Sequence, residues 1–157
     1  VLVNGPNVMQ GYWNKPEQTA EALEDGWYRT GDIGYLDDEG YLYLVDRAKD
    51  MIISGGENVY CSEVEEVIYQ HPKVLEATVF GIPHEQWGEQ VHAVVVPRDD
   101  SLTDSDLLDF CRTSLGGYKL PRSVEFRSKE LPKSGPGKVL KRELRAPFWE
   151  GKDRSIN

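Results

Sequence analysis

The chain has 157 residues, 39% hydrophobic and 29% charged, with a formal net charge of −9. That length suits one domain, or one domain with part of another, and the apolar content is enough for a packed core and too high for wholesale disorder. No apolar run approaches the roughly 20 residues of a membrane-spanning helix, and no basic segment leads an apolar stretch at the start as in a signal peptide. Two cysteines, Cys61 and Cys111, with no CxxC pattern, exclude a disulfide scaffold or a zinc cluster and leave a reducing cytoplasm as the expected location. They read as small, half-buried thiols. His71, His84 and His92 lack metal-ligand spacing and read as surface or strand histidines, so no metal site is expected.

The opening Val1-Leu2-Val3-Asn4-Gly5-Pro6 has no initiator methionine and starts like the middle of a strand, so the chain reads as a fragment. Charge is uneven along it. Residues 1–47 hold nine acids and three bases, residues 48–117 thirteen acids and four bases, and residues 118–157 five acids and eleven bases. A basic end on an acidic chain suits an anionic ligand, or is a solvated surface with a basic tail. Nucleic acid is not expected as the partner. Aromatics are not interleaved with the basic residues at stacking spacing, and the net charge opposes a phosphate backbone.

In chain order, Gly5-Pro6-Asn7 is turn chemistry. Lys15 to Thr19 leads into a short helix, Thr19 to Leu23, closed by Asp25-Gly26. Trp27 to Thr30 is aromatic and β-branched and predicts a strand. Tyr35-Leu36, Asp37-Asp38-Glu39-Gly40 and Tyr41 to Val45 predict a hairpin. Asp46 to Asp50 is a charged knot between apolar runs, and a domain boundary is placed near Lys49. Beyond it, Met51-Ile52-Ile53 predicts a strand running into Ser54-Gly55-Gly56-Glu57-Asn58. Ser62 and Glu65 predict a capping box, followed by a helix with Val64, Val67 and Ile68 inward, stopped at His71-Pro72. Leu75 to Ile82 and Val91 to Val96 are expected strands. Thr103 caps a second helix with Leu107, Leu108, Cys111 and Leu115 inward and Gly116-Gly117 as its stop. Val124 to Phe126 is a short strand, and Lys141 to Arg145 a helical turn.

Three constellations could carry chemistry. In Tyr28-Arg29-Thr30-Gly31-Asp32, a carboxylate at a strand end beside glycine can accept two hydroxyls of a diol such as ribose, though Thr-Gly-Asp is also ordinary turn chemistry. In Asp46-Arg47-Ala48-Lys49-Asp50 and the following Gly55-Gly56, the Arg47 fork suits phosphate or ribose oxygens and a glycine pair admits a narrow ligand; a salt-bridged connector and a glycine turn would look the same. In Leu131 to Lys138, a lysine after a Gly-rich loop can bring a point charge to a phosphate, or be a solvated loop residue. It is not a Walker A loop, since the spacing fails and Val139 stands where Ser or Thr would hold Mg²⁺.

Taken together and in order, these segments resemble the C-terminal portion of the AMP-forming adenylating enzymes, which include acyl-CoA synthetases, peptide-synthetase adenylation domains and luciferases. Gly11-Tyr12-Trp13, Asp25 to Asp32, Asp46 to Asp50, Gly55 to Tyr60, Gly81-Ile82-Pro83, Trp87-Gly88-Glu89 and Gly137-Lys138 carry the resemblance over essentially the whole chain. It implies an α+β fold: a small mobile α/β C-terminal domain over residues 49–150, a short mixed sheet flanked by helices, preceded by a strand-rich remnant of a large domain over 1–48 and followed by a tail, 151–157. It implies that Asp32 accepts from the ribose hydroxyls of ATP, that Arg47 contacts the same nucleotide, and that Lys49 is the hinge. Lys138 would reach the carboxylate and α-phosphate oxygens as the catalytic lysine of adenylation. Gly55, Gly56 and Glu57 would wall the pantetheine tunnel of coenzyme A. The implied substrates are a carboxylic acid, Mg²⁺·ATP and coenzyme A. The tail from Arg145 to Lys152 is similar to those of fatty-acyl-CoA synthetases, which favours a fatty or aryl acid.

Two departures, Cys61 where proline is common and His84 where aspartate is common, do not touch that chemistry. The family's phosphate loop and its Tyr-Gly-x-Thr-Glu motif are not in this sequence. The rival readings are a peptide-synthetase adenylation domain that loads a carrier-protein thiol, and a non-catalytic module that kept the fold. The 157-residue chain by itself is expected to form no acyl-CoA. An assay with ATP, coenzyme A and a panel of fatty and aryl acids checks this, and appreciable turnover would refute it.

Overall fold

The computed structural model describes residues 1–152. It divides into two compact units, Val1–Lys49 and the chain from Asp50 on. Residues 153–157, the end of the expected tail, lie outside the described residues.

The first unit holds β1 (Leu2–Val3), α1 (Pro16–Ala22), β2 (Leu23–Glu24), β3 (Trp27–Arg29), β4 (Asp32–Leu36) and β5 (Leu42–Arg47). β3 lies between β1 and β2, antiparallel to both, and β4 and β5 form the expected hairpin. The helix starts at Pro16, not at Thr19 as expected. Proline fits the first turn because its fixed φ is already helical and its missing N–H had no partner to lose. Thr19 does not cap the helix from outside. Its hydroxyl donates to the Lys15 carbonyl at 2.8 Å and accepts from the Tyr12 N–H at 2.9 Å. Leu23 leaves the helix to pair with Tyr28, because Asp25 and Gly26 turn the chain with φ of 51° and 82°. No residue of 1–49 is buried, and Tyr35, Leu36, Tyr41, Leu42, Tyr43 and Leu44 are all exposed.

The second unit has its own core. Its elements are β6 (Ile52–Ser54), β7 (Glu57–Val59), α2 (Cys61–Tyr69), β8 (Val74–His84), β9 (Gly88–Pro97), α3 (Asp104–Arg112), β10 (Ser123–Phe126) and α4 (Lys141–Arg145), with 3₁₀ turns at Gly117–Lys119 and Ala146–Trp149. β8 and β9 pair antiparallel from Val74↔Pro97 to His84↔Gly88. The other edge of β9 is shared end to end: β6 meets it at Gly88, and β10 runs parallel to it from His92 to Val95. Antiparallel and parallel pairs make the sheet mixed.

Alternation along β8 and β9 sends side chains to two covered faces. Ala77, Val79, Val91, Ala93 and Val95 pack with Ile52, Val59 and the inner faces of α2 and α3. Phe80, Ile82, Val94 and Val96 pack against Leu131, Val139, Leu144 and Phe148. The central stretches, Val79 to Ile82 and Ala93 to Val96, therefore read without polar alternation, as strands covered on both sides do.

The capping box expected at Ser62 and Glu65 is not formed. α2 starts one residue earlier, at Cys61, with Tyr60 in the cap position and no side-chain cap bond. The Glu65 carboxylate instead accepts from the Thr78 hydroxyl at 2.9 Å and the Val79 N–H at 2.7 Å. A tertiary demand for an acceptor beside β8 took the group that local pattern assigned to the helix end. The box at Thr103 does form, with Asp106 as its partner. α3 ends at Arg112 with Thr113 as cap, well before Gly116-Gly117, and Leu115 is buried beyond the helix rather than on it. Both thiols are fully buried, more so than expected, and burial pushes Cys111 up to about 11. His92 and His71 are also buried, and His84 ends β8. Among the described residues no helix is long and apolar enough to cross a membrane.

Two buried groups yield predictions. A Cβ at Gly81 would sit 2.5 Å from Glu89 Oε2, the atom that accepts from the Ile53 N–H at 3.1 Å. Gly81→Ala should therefore displace this buried carboxylate and lower stability by about 1–3 kcal/mol, read from denaturant midpoints. His92 is wedged among Phe80, Phe148 and Ser123, whose Oγ is 2.7 Å from Nδ1, with Glu125 4.0 Å from Nε2. Burial holds the imidazole below its ordinary value of 6.5, against a weaker upward pull from Glu125. The unfolded chain then binds a proton that the folded one refuses. His92 stability is complete above about pH 6.5 and is lost as pH falls toward the lowered folded value, by at most about 1.4 kcal/mol per pH unit. Denaturation between pH 7 and 5 should show this loss, and His92→Gln should flatten it; an equal slope in the variant would refute the assignment.

Candidate functional site

Asp32 and Arg47 owe their meeting to strand register. Asp32 opens β4 and Arg47 closes β5, and the ladder sets them directly opposite each other. Arg47 Nε lies 3.7 Å from Asp32 Oδ1, with both side chains partly exposed. A bulge at Ile33 and Gly34 follows, where a Cβ on Gly34 would meet the Tyr43 carbonyl at 2.6 Å. Behind the carboxylate, the Asp32 N–H donates to Thr30 Oγ1 at 3.0 Å and the Ala48 N–H to the Gly31 carbonyl at 2.8 Å. Tyr28, on β3, joins this neighbourhood. Its phenol is raised by Tyr12 first, through a hydrogen bond and its charge, then by burial and by the Asp32 charge, with Arg47 opposing. The result is a carboxylate acceptor, a guanidinium and two phenols on one patch. Such a set suits vicinal hydroxyls and a nearby anion.

Gly55 and Gly56 form the two-residue turn between β6 and β7, with φ of 62° and 87°. Left-handed angles at both central positions are the hairpin geometry that glycine takes without strain. The strand expected at 51–53 thus runs into a glycine turn, and Glu57 is the first residue of the return strand of a hairpin. The Gly55 N–H donates to the Trp87 carbonyl at 3.0 Å, and a Cβ on Gly55 would be 3.5 Å from the Trp87 ring. Arg122 sits 3.6 Å above the same ring, and His84 stacks on it at 4.3 Å and 11°. Sequence reading did not place Trp87 or Arg122 in a site. Trp87 stood out in the Trp-Gly-Glu run, but only the sheet brings Arg122 to it from far along the chain. A bare backbone turn beside an aromatic face and a guanidinium can hold a narrow, amide-bearing chain with an anionic end.

Lys138 is exposed at the base of a tight turn. The Ser134 N–H donates to the Lys138 carbonyl and the Gly137 N–H to the Ser134 carbonyl, both at 2.8 Å, and Lys133 bridges Val139. Lys133 pairs with Glu76, whose Oε2 accepts from the Leu131 N–H at 2.9 Å. That Lys133 bond, helped by Leu131, holds the Glu76 carboxyl below its usual value and the Lys133 ammonium above its own. The glycine hairpin meets β9 at Gly88, while Glu76 faces Val96. At about 3.3 Å per residue the two anchor points lie roughly 26 Å apart along one strand. Among the described residues, no three of His, Cys, Asp and Glu stand together as a metal site.

Residues 63–138 match the family model of the AMP-binding enzyme C-terminal domain. The chain matches the C-terminal portion of the AMP-forming adenylating enzyme superfamily. It is 54% identical over 149 residues to a feruloyl-CoA synthase of Amycolatopsis, covering 94% of this chain and 30% of that protein. It is 55% identical over 143 residues to a long-chain-fatty-acid–CoA ligase of Yersinia pestis, covering 91% of this chain and 25% of that protein. Among solved structures it superimposes on ATP-bound MatB from Rhodopseudomonas palustris with a TM-score of 0.86 and 38% identity, over 96% of this chain and 30% of that one. On the Bacillus subtilis o-succinylbenzoate CoA synthetase with its acyl-adenylate, the TM-score is 0.84 at 42% identity, over 91% of this chain and 29% of that one. The chain thus spans about 30% or less of the length of the curated relatives it matches.

Proposed function

We propose that these residues serve an AMP-forming acid–CoA ligase acting on a fatty or aryl acid, with residues 1–48 as the end of its large nucleotide-binding domain and 49–150 as a small domain that swings about Lys49. The observation that carries the reading is the separation on the second unit. The Lys138 loop and the glycine hairpin are anchored at opposite ends of β9, so a bound substrate meets one or the other. Two ends of one rigid lobe suit two successive half-reactions. The absence of any buried residue in 1–49 is what a strip peeled from a larger core would show.

In the first half-reaction a carboxylate oxygen attacks the α-phosphorus of ATP, and pyrophosphate leaves. Asp32 accepts from the ribose hydroxyls and Arg47 holds the same nucleotide. The Lys138 ammonium meets the charge that gathers on the carboxylate and α-phosphate oxygens; one such group is worth about 3–4 kcal/mol. In the second, the coenzyme A thiolate attacks the acyl carbon and AMP leaves. The Gly55-Gly56-Glu57 turn, with Trp87 and Arg122 beside it, flanks the arriving pantetheine. Mg²⁺ travels with ATP, on ligands supplied by polypeptide outside these residues. The relatives named for CoA products support coenzyme A over a carrier protein as the acceptor.

In the longer synthetase, Lys138→Ala should abolish pyrophosphate exchange into ATP while leaving thioester formation from preformed acyl-AMP within about twofold of normal. Equal loss in both steps would overturn the role given to Lys138. Thioester formation with a phosphopantetheinylated carrier protein but not with free coenzyme A would move the reading to a peptide-synthetase domain.

A further inference from the structure

The segment carrying Lys138 runs from Arg127 to Leu140 with no helix or paired strand beyond the Lys133–Val139 bridge. Gly135, Pro136, Gly137 and Lys138 are exposed, and the local backbone bonds are those of one tight turn. Such a segment opens easily by itself. Yet both of its ends are tied to side chains distant in sequence, and each tie is a carboxylate.

At the entry, Glu76 on β8 takes the Leu131 N–H and the Lys133 ammonium together. At the exit, Lys141 opens α4 and its Nζ lies 2.8 Å from Glu65 Oε1. Glu65 is itself held by the Thr78 hydroxyl and the Val79 N–H. Both partners of this exit pair are only about one-fifth exposed, at 20% and 21%. Burial pulls the Lys141 ammonium down, but the Glu65 carboxylate and the neighbouring Cys61 and Asp50 more than offset this and hold it above its ordinary value.

We propose that Glu65 and Glu76 are positioning residues for Lys138: acting through Lys141 and Lys133, they clamp the two ends of its loop to α2 and β8, so that the ammonium arrives already oriented. The inference rests on Lys138 being the adenylation cation. It follows from the cost of misplacement, since a shift of about 1 Å in a group that must meet a developing charge can cost on the order of 100-fold in rate. The glycine hairpin at the other end of β9 has a different tie, the Glu89 carboxylate on the Ile53 N–H. The two clamps therefore concern one half-reaction only.

Glu65→Gln and Glu76→Gln remove the charge while keeping an acceptor for Val79 and Leu131. Amide hydrogen exchange on the 157-residue chain gives the first readout. Ser134, Gly137 and Leu140 should lose about tenfold or more in protection, with Val91 and Val94 in β9 unchanged. Half-reactions of the longer synthetase give the second. Adenylation kcat should fall about 10- to 100-fold at an unchanged KM for ATP, with thioester formation from preformed acyl-AMP within about twofold; Lys141→Met and Lys133→Met should reproduce this. Unaltered exchange at the loop amides overturns the clamps whatever the activities. A matching fall in both half-reactions, with loss of protection in β9, makes the two carboxylates general supports of the fold and also overturns the proposal. Lys138→Ala run alongside separates the two layers. If it leaves adenylation intact, the assignment of Lys138 fails and this inference with it; if it stops adenylation and the Gln variants do not slow it, only the clamps fail.

Discussion

The second unit depends on the β8–β9 ladder being buried on both faces. One face meets α2 and α3 and the other meets Leu131, Val139, Leu144 and Phe148, so neither strand has a solvent side on which register could slip at low cost. Every candidate residue of this unit is hung on that pair. The glycine hairpin is attached at Gly88, β10 brings its neighbour Arg122 alongside, and Glu76 reaches out from the far end to the lysine loop. A scaffold this over-determined can carry two exposed turns without yielding to them.

Carboxylates that are buried or partly buried do much of the attaching. Glu65, Glu76 and Glu89 each accept at least one backbone N–H from a strand or segment distant in sequence. A carboxylate has acceptor capacity for several donors at once, so it can satisfy an orphaned amide and an ammonium together. Removing a buried amide's acceptor costs more than the bond's net worth when made. Ties of this kind hold a loop without covering it, which suits a lysine that must stay exposed.

Much of the fold was legible in local pattern, and the failures share one cause. Thr103 with Asp106 and Ser62 with Glu65 look alike as sequence, a hydroxyl followed three residues later by a carboxylate. The first forms its box, with Asp106 exposed and its carboxylate turned back to the Thr103 N–H. The second does not, because Glu65 faces β8 and Lys141. Gly116-Gly117 is not the helix stop: the N–H groups of Thr113, Ser114 and Leu115 already turn back on Phe110 and Cys111, and Leu115 is buried past the helix end. Thr19 failed as a helix start because Pro16 had already set the helical angle three residues before it. In each case a purely local rule met a competitor that the window did not contain.

Asp32, Arg47, Lys138 and the glycine pair could be named as candidates from residue type, because diol, phosphate and narrow-ligand chemistry each demand particular atoms, and only the resemblance of their order to a family's set them apart from ordinary turns and loops. What could not be read there was adjacency. That Asp32 faces Arg47 at 3.7 Å depends on the β4–β5 register, that Arg122 lies on Trp87 depends on β10 joining β9, and that Lys133 meets Glu76 and Lys141 meets Glu65 on either side of Lys138 depends on how the segment after β10 packs back on β8 and α2. A linear string states what each side chain can bind. Only packing, which weighs all long-range pairings against one another at once, decides which of them meet.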